Sequence, residues 1–421
     1  MVIYRRLFYV LKYTCGLALR WRFAVSAAGR RMLAGLDPPY LLLSNHVCMW
    51  DPPMVAAFLR HPPHFLATDN MFRATPSRLL YRIVGAVPKA KDQPDLTALG
   101  AARKLIADGA VVGIFPEGRR TWDGRTLPLH PATGRLPRLL RAQVITADID
   151  GGYLTRPRWA RQGRRGRIVI RYRRVATEQE AVELSPAVLE DRIARALARN
   201  ADADQARAPV RYQGRRRAEH IELFLVYCPC GALGAFRSRG NRFWCSVCGL
   251  GARVSEWGRL DGYPVPTISA LSDWQEEHLV PHLAEWPVSD RTLEQSHVRL
   301  LRAIGLHGYR TIARGPAVLT AAGLSVGGHS IRIATVEACN MQNDNSIEFS
   351  VGRFRYRLEQ PPRSRQYHRA PYYLWMCVIR ACAAAAREGA AAAREGASSE
   401  AERAATGSPY PSGTESSSSG S

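Results

Sequence analysis

Negative charge is scarce in this chain. Against 59 lysine and arginine residues stand 36 acidic ones in 421 residues, a formal charge of +23. Lysine is scarcer still: Lys12, Lys89, Lys91 and Lys104 are the only four, so arginine carries the excess. That balance points to an anionic partner: nucleic acid, anionic lipid or a phosphorylated substrate. A GC-rich coding sequence favours arginine equally well, so charge alone does not choose among them. The opening MVIYRRLFYVLKYTCGLALRWRF lacks an apolar run of about 18 residues, because Lys12, Arg20 and Arg22 interrupt it. It also lacks a signal-peptide cleavage pattern. The mix of Trp, Phe, Tyr and Arg over 1–25 fits an interfacial helix, or an ordinary packed helix. The nine cysteines form no framework of a small disulfide protein, since only four lie close together.

What is present is organised in blocks. Residues 26–210 alternate short apolar runs with helical patterns, as an α/β domain does. Strands are expected at 40–43, 110–115, 143–149 and 167–172, and helices at 54–60 and 186–199. The basic stretch 211–217 marks a boundary. A cysteine-rich module follows at 220–260, then a Trp-rich connector at 261–310 that reads as helical. Residues 311–383 read as a β-rich domain with a closing helix at 369–383. Its hairpin turns at Gly352 and alternates Arg353, Arg355 and Arg357 with apolar residues. The Ala- and Ser-rich tail 384–421 reads as disordered, with transient helix the alternative for its Ala-rich part.

Two segments carry chemistry. LLLSNHVCMWDPP (41–53) sets an apolar strand before Asn45-His46, with Asp51 five residues after the histidine. A hydroxyl becomes a competent nucleophile when a base takes its proton, and histidine suits that role. A carboxylate behind the ring fixes the tautomer and stabilises the imidazolium. The bare spacing is unspecific: His64 and Asp69 repeat it without the leading strand, and His46 alone reads more readily as a buried structural histidine. The second segment, GIFPEGRRTWDG (113–124), also follows an apolar strand. It places Phe115, Glu117, Gly118 and Arg119 at a strand end, where α/β proteins bind ligands. An arginine there can grip a phosphate with paired donors, or be one of a solvated pair.

Together, NHxxxxD and FPEGxR(S/T) resemble the glycerophosphate and lysophosphatidate acyltransferase superfamily, over roughly residues 20–200. That resemblance implies transfer of a fatty acyl group from acyl-CoA or acyl carrier protein to a lysophosphatidate-type acceptor. It implies His46 as general base, Asp51 as its orienting partner, and Asn45, Lys91, Phe115, Glu117, Gly118 and Arg119 as substrate-binding residues. The family's second motif is similar to Gly85-Ala86-Val87-Pro88-Lys89-Ala90-Lys91, with Lys91 where the family has a phosphate-binding arginine. Thr146 stands where a fourth motif would have proline. No metal or redox cofactor is implied for the chemistry. The cysteine segment resembles a bacterial subgroup with a C-terminal zinc-ribbon extension.

VYCPCGALGAFRSRGNRFWCSVCG (226–249) has two cysteine pairs separated by 14 residues. Cys228, Cys230, Cys245 and Cys248 would give a tetrahedral structural zinc site. The first pair is C-x-C, one residue shorter than the usual knuckle, so His220 is an alternative ligand. A degenerate ribbon and redox thiols remain alternatives. The β-rich segment faintly resembles a pleckstrin-homology-like barrel, whose arginine face suits anionic lipid or plain solvation. The leading expectation is a peripheral enzyme at the cytoplasmic face of the cell membrane. The alternatives are a catalytically lapsed lipid-binding scaffold and a basic zinc-ribbon protein that binds nucleic acid, the partner these motifs favour least.

Overall fold

A computed structural model describes residues 2–68, 72, 75–89, 95–285, 292–304, 308–343, 346–360 and 372–388. Seven strands build the first sheet: β1 (Val25–Ala28), β2 (Tyr40–Ser44), β3 (Pro63–Thr68), β4 (Val87–Lys89), β5 (Val111–Ile114), β6 (Gln143–Asp150) and β7 (Ile168–Ala176). Their order is β1-β7-β6-β2-β5-β3-β4. The β6–β7 pair is antiparallel and the others are parallel, so the sheet is mixed.

The run Tyr40–Ser44 is continuous rather than alternating because both sheet faces are covered. Tyr40 and Leu42 pack with Leu19, Phe23, Met54 and Ile145 on one side. Leu41 and Leu43 pack with Ala102, Val112, Leu189 and Ile193 on the other. Each such leucine contributes about 1.5–3 kcal/mol by leaving water. The helices behind these contacts are capped by sequence. Asp95 accepts from Ala98 N at 2.9 Å, and Ser185 caps Pro186–Leu197.

The four strands expected from the sequence are all present, while β1, β3 and β4 are additional. These three are short and lie at or near the sheet edges, without a clean apolar pattern. The helix expected at 54–60 begins earlier, at Asp51–Ala56, because Pro52 and Pro53 occupy its first turn. The N-terminal segment forms two helices, Val2–Tyr13 and Cys15–Phe23. Phe8, Leu19 and Phe23 are buried, whereas Val10, Tyr13, Leu17 and Trp21 (76% exposed) point outward.

The second half begins with a small antiparallel sheet: β8 (Phe236–Arg239), β9 (Arg242–Cys245), β10 (Gly251–Val254) and β11 (Leu260–Asp261). Among its described residues, the connector expected to be helical over 261–310 is helical over Ile268–Glu285. Leu293–Ile304 is instead a strand, β12. Register shifts between Gln295 and Val298 and between Leu300 and Leu301 break the two-residue alternation that would have marked it.

β12 joins β13 (Gly308–Leu319), β14 (Gly323–Val326), β15 (His329–Arg332), β16 (Ala338–Asn343), β17 (Ser346–Val351) and β18 (Phe354–Glu359). Their order is β15-β14-β13-β12-β18-β17-β16, with antiparallel pairing throughout. Among the described residues no pairing joins β15 to β16, so barrel closure is not seen. Gly352, with φ +52°, turns the expected hairpin. The arginine face does not stay free: Arg357 donates through Nε and Nη2 to Glu348 Oε1 at 2.9 and 2.6 Å and lies over the Tyr309 ring.

A helix over 372–388 packs on this sheet through Tyr372, Trp375, Val378 and Ile379. It runs past 383 to 388, within the Ala-rich part of the tail, and 389–421 lie outside the described residues. One core joins the ribbon, the connecting helix, the C-terminal sheet and this last helix to Trp159 and Ala160 of the first domain.

Candidate active site

β2 and β5 are parallel neighbours, with Leu43 opposite Ile114. Their C-terminal ends therefore deliver the Asn45-His46 segment and the Phe115–Gly118 turn to the same place, although 71 residues separate His46 from Glu117. The two loops lock together through backbone. His46 N donates to Glu117 Oε1 at 2.6 Å, and Thr121 N donates to His46 O at 3.1 Å. Glu117 Oε2 accepts from Leu127 N at 2.7 Å.

His46 and Asp51 meet as their spacing predicts. His46 Nδ1 lies 2.7 Å from Asp51 Oδ2. The same oxygen accepts from Val47 N at 2.7 Å and Cys48 N at 2.9 Å, and Oδ1 accepts from the Cys48 thiol at 3.1 Å. Asp51 is fully buried and sits in the first turn of its helix, where a carboxylate is favoured. It fixes the proton on Nδ1, which leaves Nε2 to act as a base; the His46 side chain is 22% exposed. Burial, then the Asp51 charge, push the Cys48 thiol well up, so it stays a donor. Sequence reading missed Cys48, because a lone cysteine inside the loop gives no signal of its own.

Aromatic stacking sets the ring plane. His46 stacks on Phe115 with centroids 4.4 Å apart, and Phe65 stacks behind Phe115 at 5.6 Å. Gly113 makes room, since a Cβ there would meet the Phe65 ring at 2.4 Å. Gly118 has open space around it but a φ of +67°, so its backbone, not its surroundings, calls for glycine.

Two of the residues expected to bind substrate have backbone partners in the structure. Asn45 is buried, and its amide exchanges two hydrogen bonds with the Ile149 backbone, at 3.1 and 2.7 Å. It ties the loop to the end of β6 and positions the histidine. Glu117, 8% exposed, binds backbone N–H groups and holds the loops together. Its burial raises the carboxyl to about 8, against the Leu127 and His46 N–H donors, which favour the charge. Arg119 alone of this turn reaches outward, donating to Asn340 Oδ1 at 3.2 Å. Lys91 lies outside the described residues. So does Asp69, while His64 sits in β3 with Nδ1 2.9 Å from Gly85 O. Thr146 is buried within β6, opposite Leu43.

The acyltransferase family model matches residues 27–149, the span that holds both loops. Residues 27–149 are an acyltransferase domain. Among solved structures, the 1-acyl-sn-glycerophosphate acyltransferase PlsC from Thermotoga maritima is similar at 19% identity and a TM-score of 0.38, over 45% of this chain and 78% of that one. The acyltransferase domain does not end in solvent at its second loop. Trp122 stacks on Phe224 (5.7 Å) and meets Tyr373 edge-on (5.5 Å), with the Arg158 guanidinium 4.1 Å above its ring.

Away from this site, the sulfurs of Cys228, Cys230, Cys245 and Cys248 lie within 4.8 Å of one another. Tetrahedral zinc at ~2.3 Å from each sulfur sets sulfur–sulfur edges of about 3.8 Å. Cys228–Cys248 and Cys230–Cys245 measure 3.6 and 3.8 Å, which fits. The short C-x-C knuckle closes through Gly231, whose φ is +86° and whose N donates to Cys228 O at 2.8 Å. His220 is not part of the cluster. At Cys245 burial raises the thiol, but the Cys248 and Val247 N–H groups outweigh it and bring it down to about 7.

Proposed function

We propose that this chain transfers a fatty acyl group from an acyl thioester, acyl-CoA or acyl carrier protein, to the free hydroxyl of a lysophosphatidate-type acceptor. His46 Nε2 takes the hydroxyl proton as the oxygen attacks the thioester carbonyl. Asp51 stabilises the imidazolium that forms. The tetrahedral intermediate expels the thiolate, which takes the proton back from His46, so the reaction balances as ester plus thiol. Arg119 and Lys91 hold the acceptor phosphate. The observation that carries this reading is the 2.7 Å His46–Asp51 contact, with Val47 and Cys48 N–H holding the same carboxylate oxygen.

The reaction takes place at a membrane surface. Val10, Tyr13, Leu17 and Trp21 form an outward apolar face on the N-terminal helices, with Arg20 and Arg22 beside them. No helix among the described residues is long and apolar enough to cross a membrane. Zinc in the four-cysteine cluster is structural, since four protein thiolates leave no open position. The C-terminal sheet and its helix serve as a pleckstrin-homology-like module facing the acyltransferase domain.

The test is transfer from labelled acyl-CoA to lysophosphatidate, glycerol 3-phosphate and neutral lysolipids, with His46→Ala alongside. Turnover that needs His46 and an acceptor phosphate is expected. Wild-type-like turnover in folded His46→Ala sinks the mechanism, and lipid binding without turnover from either donor would mark a scaffold.

A further inference from the structure

Arg119 meets a second arginine from the far end of the chain. Asn340 Oδ1, on β16, accepts from Arg119 Nη1 at 3.2 Å and from Arg380 Nη2 at 2.6 Å. Arg380 Nε is anchored on Cys339 O at 2.8 Å. The two donor nitrogens are therefore no more than about 6 Å apart, where like charges repel. A neutral amide orients them without cancelling their charge. Neither guanidinium pairs with a carboxylate among the described residues, and both side chains are exposed.

This meeting is built into the packing. Arg380 lies seven residues after Tyr373 in the same helix, two turns on and so on the same face. Tyr373 packs against Trp122 and Arg380 meets Arg119, so one helix face lies along the loop that also fixes His46. Arg380 is outside the matched segment 27–149.

We propose that Arg119 and Arg380 together grip a phosphate of the substrate, so that the C-terminal module completes the acyltransferase site. The idea rests on the acyl-transfer reading above. A phosphate monoester carries more than one negative charge at neutral pH, and two guanidinium forks match its oxygens better than one. Lys91 offers only a point charge where the family has an arginine, and Arg380 supplies a second fork.

The full-length chain is assayed for KM toward lysophosphatidate and acyl-CoA, and for turnover of phosphate-free monoacylglycerol, in wild type, Arg380→Ala, Arg380→Lys and Asn340→Asp. Arg380→Ala is expected to raise the lysophosphatidate KM about tenfold with kcat nearly unchanged, the pattern of lost uniform binding. Arg380→Lys should recover part of it. Asn340→Asp, close in size, should mimic Arg380→Ala by occupying both arginines with a carboxylate. A rise in the acyl-CoA KM instead places the gripped phosphate on the donor. Unchanged KM for both substrates in folded Arg380→Ala, or an equal loss with monoacylglycerol, overturns the proposal. Should wild type transfer no acyl group, the enzyme reading fails separately, and calorimetric titration with glycerol 3-phosphate takes over. Weaker binding by Arg380→Ala then keeps the grip, while equal or absent binding overturns it.

Discussion

Replacing Asp51 with Asn keeps the side chain's size and removes its charge. Oδ2 accepts three N–H groups, from His46, Val47 and Cys48, while Oδ1 faces the Cys48 thiol. An amide can satisfy this pocket one way only. Its oxygen must take the Oδ2 position, because an NH2 there would oppose three donors. The Nδ1 proton of His46 then stays in place, and what disappears is the counter-charge to the imidazolium formed during the reaction. Two unit charges about 4 Å apart interact by about 4 kcal/mol at an effective dielectric near 20, which suits this buried carboxylate. That loss falls on the transition state and amounts to about three decades in rate. The ground state loses less, since three neutral hydrogen bonds replace three charge-assisted ones. Steady-state acyl transfer, read by thiol release, should show kcat down about 10³-fold with KM little changed. Circular dichroism should show an intact fold. A kcat within tenfold of wild type, in folded Asp51→Asn, would refute this account of the dyad.

Glu117 gives a pH signature. Its carboxyl rises from the ordinary 4.5 to about 8 in the folded state, so folding takes up a proton between these values and stability is lost as pH rises through them. Urea midpoints from pH 5 to 8 should fall for wild type and flatten in Glu117→Gln, and parallel curves would contradict the assignment. One zinc per chain is expected on metal analysis. Cys228→Ser should lose it and melt at lower temperature, whereas metal-free protein with an unchanged melt on chelation would exclude a structural metal. Trp21→Ala should weaken co-sedimentation with anionic vesicles by about tenfold, because an exposed tryptophan contributes much of an interfacial face; unchanged binding would move the membrane contact elsewhere.

The site was legible where chemistry and strand signals coincide. LLLS before NHVCMWD, and VVGI before FPEG, each announce a buried strand ending in reactive side chains. Two such ends in one α/β domain imply a shared site. Residue type alone does not reveal partners: in the structure Asn45 and Glu117 both hydrogen-bond to backbone. β12 was hidden because its bulges erase the alternation that marks a strand.

By itself, the sequence determined the α/β domain, the His46–Asp51 pair and the cysteine cluster, because local spacing fixes which side chains a single turn can bring together. Tertiary structure alone decided that β2 and β5 are neighbours and that Glu117 locks the His46 backbone. It alone brought Arg380 to Arg119. Contacts across 221 residues depend on how separate hydrophobic faces pack, and no local pattern encodes that.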